Sequence, residues 1–240
     1  MGALDGLFVV DLSRVLAGPF CGQMLAENGA DVVKVESPEG DMNRGFPMVL
    51  REGESTNFLS VNRGKRDVTL NLKHAAARNL LDQLIAKADV LIQSFLPEVA
   101  EKLGVGWERI HDLNPDLIYV SISGYGAEGE LANKPGYDTM VAAYAGITSL
   151  TGEPGRSPVR PGVTTVDLST GMLAYSGCMT ALMARERGKA RGQRVNVSLL
   201  ESGVTLLGFH AASYLVAGHV DQREGAGYST LAPYDAYRAK

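Results

Sequence analysis

Short apolar runs alternate with stretches of helical spacing along most of the chain. Apolar runs of four to eight residues between turn residues are typical of buried strands, and apolar residues three or four positions apart are typical of helices. The pattern predicts strands at residues 7–12, 31–36, 68–72, 89–95, 116–123 and 195–199. It predicts helices at residues 17–28, 74–88, 97–103, 107–113, 136–150, 168–187 and 203–216.

This order of elements predicts an α/β fold, with a Rossmann-like parallel sheet flanked by helices. The turn after the first strand carries no G-x-G-x-x-G pattern, so the sequence offers little support for a nicotinamide dehydrogenase. Ligands of open parallel sheets bind at the carboxyl ends of the strands. We therefore expect the functional site to be built from the loops that follow Leu12, Glu36, Phe95 and Ser123.

The composition excludes several classes of function. With 240 residues, 45% of them hydrophobic and 21% charged, the chain can form one large domain or two small ones. A net charge of −4 gives no general attraction to nucleic acid or to an anionic membrane, so an anionic ligand must be held by local cations. No apolar run reaches the length of a membrane span and no signal peptide is evident, which favours a cytoplasmic location.

The metal-binding and cysteine patterns exclude further chemistry. Cys21 and Cys178 are the only cysteines, and both lie in apolar helical patterns. This fits a reducing compartment and excludes a disulfide framework or a zinc cluster. The four histidines have no ligand spacing, and no G-x-S-x-G elbow is present, so neither a metal site nor a Ser-His-Asp hydrolase is expected.

Asp167 is the most conspicuous candidate for chemistry. Pro161 and Gly162 interrupt the chain before it, and residues 168–187 follow as a nearly uncharged helical stretch. Asp167 is therefore expected to be the N-cap of a largely buried helix. The alternative is that this single carboxylate in an apolar setting is a nucleophile.

A second candidate is a group of cations just before a predicted strand. Arg63, Lys65 and Arg66 surround Gly64, so three cations fall within four residues. Such a group can hold phosphates. The alternative is a solvated turn tethered by Asp67.

Taken together, many short segments resemble the family III coenzyme A transferases, the group that includes formyl-CoA transferase and the related α-methylacyl-CoA racemases. They occur in the family's order over nearly the whole chain. Residues 214–218 (YLVAG) and 233–237 (PYDAY) most resemble the branch that uses succinyl-CoA and dicarboxylic acids such as glutarate or hydroxymethylglutarate. The other segments are 4–6, 14–20 (RVLAGPF), 29–36 (GADVVKVE), 40–41, 62–66 (NRGKR), 88–90, 104, 114–115, 124–126 (GYG), 167 with 170–171, and 192–195 (GQRV).

The resemblance implies transfer of coenzyme A from an acyl-CoA, in particular succinyl-CoA, to a carboxylic acid through Asp167. An aspartyl anhydride and then an aspartyl-CoA thioester would form on this carboxylate. An ionised carboxylate needs no general base to act as a nucleophile. A position at a helix N-terminus would keep Asp167 ionised, and free amides there would favour developing negative charge.

The resemblance also assigns the other site residues. Val15 and Ala17 would approach the thiol end of coenzyme A, and Tyr137 would lie near the thioester. The phosphates would bind the 63–66 cations and Lys102, although Lys102 alone is as well explained as a solvated helix residue. For the distal carboxylate of a dicarboxylic acid, Arg44 and Arg160 are candidates, with ordinary surface arginines as the alternative. Residues expected to line the nucleotide are Leu70, Ser94 and Phe95.

Two alternatives to transfer stay open. In the racemases the position of Tyr137 is a histidine that pairs with the aspartate as the second acid/base, so a two-base racemase lacks one base here. The other alternative is an inactive CoA-binding fragment or subunit that needs a partner chain.

The resemblance implies acyl-CoA and a small carboxylic acid as partners, a homodimer, no metal and no tightly bound cofactor, with coenzyme A as a substrate. We expect a catalytic and CoA-binding large domain at 1–220 and the start of a linker at 221–240. Family members are considerably longer, with a small domain that we expect to be absent or truncated here and a glycine-rich loop that closes over the aspartate. The sequence therefore predicts weak activity or none from these 240 residues alone.

Overall fold

The computed structural model describes residues 2–46, 50–51 and 54–239. The strands are β1 (Phe8–Asp11), β2 (Asp31–Glu36), β3 (Leu50–Arg51), β4 (Glu54–Ser55), β5 (Arg66–Thr69), β6 (Val90–Gln93), β7 (Ile118–Ser123) and β8 (Gln193–Ser198). The helices are α1 (Ala17–Glu27), α2 (Thr56–Ser60), α3 (Ala75–Ile85), α4 (Pro97–Leu103), α5 (Trp107–Leu113), α6 (Asp138–Ala145), α7 (Ile147–Leu150), α8 (Thr165–Glu186), α9 (Leu199–Leu207) and α10 (Phe209–Ala217). A short 3-10 turn covers Met42–Gly45.

Six strands form one parallel sheet in the order β5-β2-β1-β6-β7-β8. The chain first builds outward from β1 through β2 to β5, then returns to β1's other side with β6. This is the strand order of a Rossmann fold, and the predicted α/β class is confirmed. The direction of winding reverses between β1 and β6, so the loops after these two strands diverge and leave a crevice at their carboxyl ends.

The sheet is covered on both faces because consecutive strand residues point to opposite sides. Val9 packs into a cluster with α1 and α8, whereas Val10 packs into a cluster with α3 and α5. Both side chains are fully buried. Burial on both faces explains the continuous apolar runs of β1, β6 and β7, in place of an alternating pattern.

Three predicted helix boundaries are wrong. The helix predicted at 168–187 begins at Thr165, with Thr164 as its N-cap, so Asp167 is the third helical residue and not the cap. The helix predicted at 136–150 is interrupted by Gly146, whose φ of 102° suits glycine. The helix predicted at 203–216 is two helices that bend by 78° at Gly208.

Helices α9 and α10 also bear on membrane association. No single helix among the described residues is long and apolar enough to span a membrane, while this bent pair passes the same test when its two parts are combined. Beyond α10, residues 218–239 contain no helix or strand. Arg223 ties this segment to α7 and to the loop after it, donating to the carbonyls of Ser149 (2.9 Å) and Arg156 (2.8 Å).

Candidate active site

Two adjoining pockets follow the carboxyl ends of the sheet. The Asp167 pocket, about 280 Å³, is formed by the turn after β1, the loop after β6, the end of β7, and Tyr137 and Asp167. The Leu70 pocket, about 520 Å³, is formed by residues 70–73 after β5, the end of β2 and Leu103. Both pockets are lined by Arg14, Met42 and Phe95, so they form one continuous cleft.

The wall of the Asp167 pocket contains a strained residue. Val15 has a φ of 69° and is the one non-glycine residue with positive φ in the described ranges. This conformation is rare for a β-branched side chain and costs about 1–3 kcal/mol. Its amide donates to Asp41 Oδ1 (3.3 Å), and its carbonyl accepts from Asn43 Nδ2. The surrounding structure therefore fixes the turn in a shape that a valine would otherwise avoid.

A buried ion pair between Lys34 and Asp41 supports the turn that contains Val15. Lys34 Nζ lies 3.0 Å from Asp41 Oδ2, and the two side chains are 2% and 0% exposed. The same ammonium donates to the carbonyl of Ser13 (2.8 Å). Since a buried charge is stable only when it is paired and hydrogen-bonded, the pair and the turn conformation depend on each other.

Helix α8 approaches α1 very closely at the site. A β-carbon on Gly171 would lie 2.7 Å from the carbonyl oxygen of Ala17 and 3.0 Å from the ring of Phe20. Asp167 precedes Gly171 by one helical turn, so it lies on the same face of α8. The glycine thus brings Asp167 beside the first turn of α1, where Ala17 and Gly18 line the pocket.

The amino end of α8 is capped by a residue from another helix. Asp138, the first residue of α6, accepts hydrogen bonds at Oδ2 from the amides of Val166 (2.9 Å) and Asp167 (3.1 Å). The amide of Thr165 donates to the carbonyl of Val163, and that of Leu168 to the carbonyl of Thr164. The expectation of free amides in the first turn is therefore wrong for Thr165, Val166 and Asp167, because all three of these amides are bonded.

The Asp167 carboxylate itself accepts no hydrogen bond from any described residue, and it lines the pocket. Burial, and then the negative charge of Asp138, raise its pKa to about 7. This corrects the expectation that the helix end keeps it fully ionised: burial and the second carboxylate outweigh the helix dipole. At neutral pH the group is divided between its ionised and protonated forms.

Tyr137 lines the same pocket as the turn after β1, and the residue is about half exposed. Its position is set by contact between two glycines: a β-carbon on Gly124 would lie 2.7 Å from the amide nitrogen of Gly136. The end of β7 thus holds the residue before Tyr137. Tyr137 and Asp138, adjacent in sequence, face the pocket and the end of α8 respectively.

Most of the predicted site residues meet at this cleft. The residues lining the Asp167 pocket include Val15, Ala17, Ser94, Phe95, Tyr137 and Asp167. Leu70 lines the neighbouring pocket with Phe95. The roles assigned to these residues remain predictions.

The cluster of cations at 63–66 lies elsewhere. Lys65 is 2% exposed and bonds to Asp11 (2.9 Å), the carbonyl of Pro19 and Asn62, so its ammonium holds α1 to the sheet and cannot bind a phosphate. Arg63 pairs with Glu27 and Arg66 pairs with Asp31 on the surface, and none of the three lines the cleft. The structure thus places these cations away from the two pockets and pairs them with carboxylates, and the phosphate seat stays a prediction.

The other predicted cations are also outside the pocket walls. Lys102 is exposed in the last turn of α4, beside Leu103, which lines the Leu70 pocket. Arg44 is held by Glu36 (2.7 Å), Glu54 (2.8 Å) and Asp67 (3.0 Å), which leaves it no free face for a substrate carboxylate. Arg160 is exposed and donates to the carbonyl of Pro161.

Sequence reasoning missed two cations that do line the cleft. Arg14 stacks on the ring of Phe95 (5.4 Å) where the two pockets meet, and its amide donates to Ser94 Oγ (3.0 Å). Lys73 lines the Leu70 pocket and is exposed. Both follow the carboxyl end of a strand of the sheet, and this position in the sequence could have identified them as residues of the cleft. Within the described residues no group of three His, Cys, Asp or Glu side chains could hold a metal ion.

Comparison with known proteins extends these findings. The sequence profile of CoA-transferase family III matches residues 4–240. An acyl-CoA transferase of Fusarium pseudograminearum is 42% identical over the whole chain, which covers 54% of that protein. The succinyl-CoA:glutarate CoA-transferase of Mus musculus is 38% identical, again over the whole chain, which covers 55% of it. The chain therefore spans about half the length of these curated relatives.

A solved structure agrees with the fold. A CaiB/BaiF family protein from Brucella suis superimposes with a TM-score of 0.92 at 40% identity, and the match covers 98% of this chain and 63% of the other. The resemblance found in the sequence, including its likeness to the succinyl-CoA and glutarate branch, is confirmed.

Proposed function

Because this chain belongs to CoA-transferase family III, we propose that it transfers coenzyme A from an acyl-CoA, succinyl-CoA in particular, to a dicarboxylic acid, with Asp167 as the nucleophile. The observation that carries the proposal is a carboxylate to which no described residue donates a hydrogen bond, on the wall of a pocket that opens into a second, larger one. The acyl thioester would occupy the Asp167 pocket and the nucleotide the Leu70 pocket.

The proposed reaction is balanced without an external acid or base. The Asp167 carboxylate attacks the thioester carbonyl carbon, the C–S bond breaks, and an aspartyl-acyl anhydride and CoA thiolate form. The thiolate attacks the Asp167 carbonyl carbon, which releases the donor acid and leaves an aspartyl-CoA thioester. The acceptor carboxylate then repeats these steps in reverse, regenerating the Asp167 carboxylate.

Charge developing on the thioester oxygen needs a donor, and the amides of Thr165, Val166 and Asp167 in α8 are already bonded. The first turn of α1 is the better candidate, because α1 begins at Ala17 without a side-chain cap, and Ala17 and Gly18 line the pocket. The positive end of this helix would favour negative charge there. The strained turn at Val15 would hold this helix end in place before the substrate binds.

The phosphates of coenzyme A are assigned to Arg14 and Lys73, which border the Leu70 pocket. Arg14 already stacks on Phe95, so an adenine or pantetheine group near that ring would meet a cation and an aromatic face together. Lys102 remains a further candidate at the exposed side of Leu103.

The proposal includes a large domain at 1–220, a linker at 221–240, a homodimer and a cytoplasmic location. Leu215 and Val216 of α10 are 80% and 88% exposed, and the second copy of the proposed homodimer would cover this apolar face. Two buried free cysteines support a reducing compartment.

The test is an exchange assay with this chain, succinyl-CoA and glutarate, followed by chromatography of the CoA esters. We expect glutaryl-CoA from the wild-type chain, in small amount because the chain spans about half the length of its relatives, and none from Asp167→Asn, which removes the nucleophile and keeps the side-chain shape. Wash-in of solvent deuterium at the α-carbon of a 2-methylacyl-CoA, without CoA exchange, would instead establish racemase chemistry. CoA binding without either reaction would establish a binding fragment.

A further inference from the structure

We propose that Asp138 is a positioning residue for Asp167: as an anion that caps α8 from the start of α6, it occupies the first-turn amides and leaves the Asp167 carboxylate free to face the pocket. The proposal rests on the function inferred above, in which Asp167 is the nucleophile. It assigns Asp138 no contact with the substrate.

Asp138 joins the amino ends of two helices. It is the first residue of α6, and its Oδ2 bonds the amides of Val166 and Asp167 in α8. Asp138 is 8% exposed. Helix amino ends carry partial positive charge, so this nearly buried carboxylate lies where two helix ends attract negative charge. These bonds also fix the distance between the two helices at the pocket.

Asp167 cannot bond to the first-turn amides of its own helix. An aspartate in the first turn of a helix commonly turns back to accept from the helix's own free amides. Here those amides are already bonded, two of them to Asp138. The Asp167 carboxylate is left without a protein donor, and the pocket is its remaining polar environment.

The anion nearest to Asp167 at its pocket is Asp138. The titratable or charged groups around its pocket are Asp138 from α6, Tyr137 before α6, and Arg14 from the turn after β1. The other elements packed there contribute uncharged residues, namely Ala17 and Gly18 of α1, Ile122 and Ser123 of β7, and Leu199 of α9. Asp138 is thus the near anion, and burial together with its charge raises the pKa of Asp167 to about 7.

The charge of Asp138 would affect the covalent intermediates formed on Asp167. Two neighbouring anions repel each other, and acylation of Asp167 would convert one of them into a neutral anhydride or thioester, which removes the repulsion. Asp138 would thereby favour the covalent intermediates over free ionised Asp167. The same residue explains how a helix end can present a nucleophile instead of a capped carboxylate.

The experiment is a ¹³C NMR titration of chain labelled at the aspartate carboxyl carbons, with the Asp167 signal identified by its loss in Asp167→Asn. Asp138→Asn keeps an oxygen acceptor for the two amides and removes the charge. We expect it to lower the titration midpoint of Asp167, because the Asp138 charge is, after burial, the second cause of the raised pKa. Asp116→Asn, at an exposed aspartate paired with Arg191, is the matched control and should leave the midpoint unchanged.

The wild-type chain supplies a second measurement that needs no variant to fold. The amide protons of Val166 and Asp167 should both exchange slowly with solvent deuterium, because both donate to the nearly buried Asp138. An unchanged Asp167 midpoint in Asp138→Asn, or fast exchange of either amide, overturns the role proposed for Asp138.

Incubation of the same samples with succinyl-CoA separates this proposal from the function on which it rests. If the midpoint moves and the mass of the chain never increases, the nucleophile assignment fails and the positioning by Asp138 holds. If a covalent adduct forms and the midpoint does not move, the positioning alone fails.

Discussion

Gly171 of α8 lies directly against the backbone of Ala17 in α1, so that an added β-carbon would sit 2.7 Å from the Ala17 carbonyl oxygen. Real β-carbons do not approach a backbone oxygen so closely, and neither helix backbone can move without disturbing the core beside it. Gly171→Ala should therefore push α8 away from α1 and displace Asp167 from the pocket wall.

We expect Gly171→Ala to lower the free energy of unfolding by about 1–3 kcal/mol, the usual cost of overpacking. It should also reduce covalent labelling of Asp167 by succinyl-CoA. Gly162→Ala is the matched control, since no atom lies within 4 Å of an added β-carbon there. Urea denaturation of both variants measures the difference, and equal stabilities would contradict the close contact.

Lys34→Met should destabilise the chain by about 3–5 kcal/mol, because it leaves the buried Asp41 carboxylate without its partner. It should also weaken binding of coenzyme A, since Asp41 holds the amide of the strained Val15. The double variant Lys34→Met/Asp41→Asn removes both charges and should recover part of the lost stability. A loss below about 1 kcal/mol in the single variant would contradict a supporting role for the pair.

Arg14→Ala and Lys73→Ala should each weaken coenzyme A binding by about tenfold or more, the usual value of a hydrogen bond to a charged group. The losses should be largest at low salt, because exposed cations are screened by added ions. Arg160→Ala changes an exposed arginine that lines neither pocket and serves as the control. Titration calorimetry with coenzyme A at two salt concentrations measures the effect, and equal affinities for all three variants would refute the assignment.

The raised pKa of Asp167 predicts a pH-dependent stability difference. A carboxyl group whose pKa is raised on folding is protonated more readily in the folded chain than in the unfolded chain. Its contribution to stability is therefore lost as the pH rises from about 4, near the unfolded value, through about 7. Asp167→Asn carries no such charge, so it should gain stability relative to the wild type as the pH rises.

Melting temperatures of the two chains at pH 5 and pH 8 test this. The advantage of Asp167→Asn should be greater at pH 8. A difference that is the same at both values would show that Asp167 titrates near its ordinary pKa.

The pattern of apolar residues was enough to predict the sheet. All six predicted strands occur in it. The four inner strands are buried on both faces and give nearly continuous apolar runs, whereas the edge strands β5 and β8 are partly exposed and carry polar residues. The loops after β1, β6 and β7 meet at the cleft as expected, since parallel strands end at one edge. The positions of Val15, Phe95, Tyr137 and Asp167 around one pocket follow from that geometry and from the family resemblance.

The rest depended on contacts that local sequence does not reveal. Asp167 looked like a cap because it follows a Pro-Gly break, and the true cap of its amides, Asp138, lies 29 positions earlier in the chain. Lys65 looked like a phosphate ligand because its neighbours are cationic, yet its partner Asp11 lies 54 positions away. Long-range pairing of charges decides which cations are free, and only the folded chain shows it.

The most direct test of Asp167 as the nucleophile is the mass of the chain after incubation with succinyl-CoA, followed by peptide mapping. The account predicts a mass gain of one coenzyme A less one water, confined to the peptide that carries Asp167 and absent in Asp167→Asn. An adduct on any other residue, or the same adduct in Asp167→Asn, would contradict it.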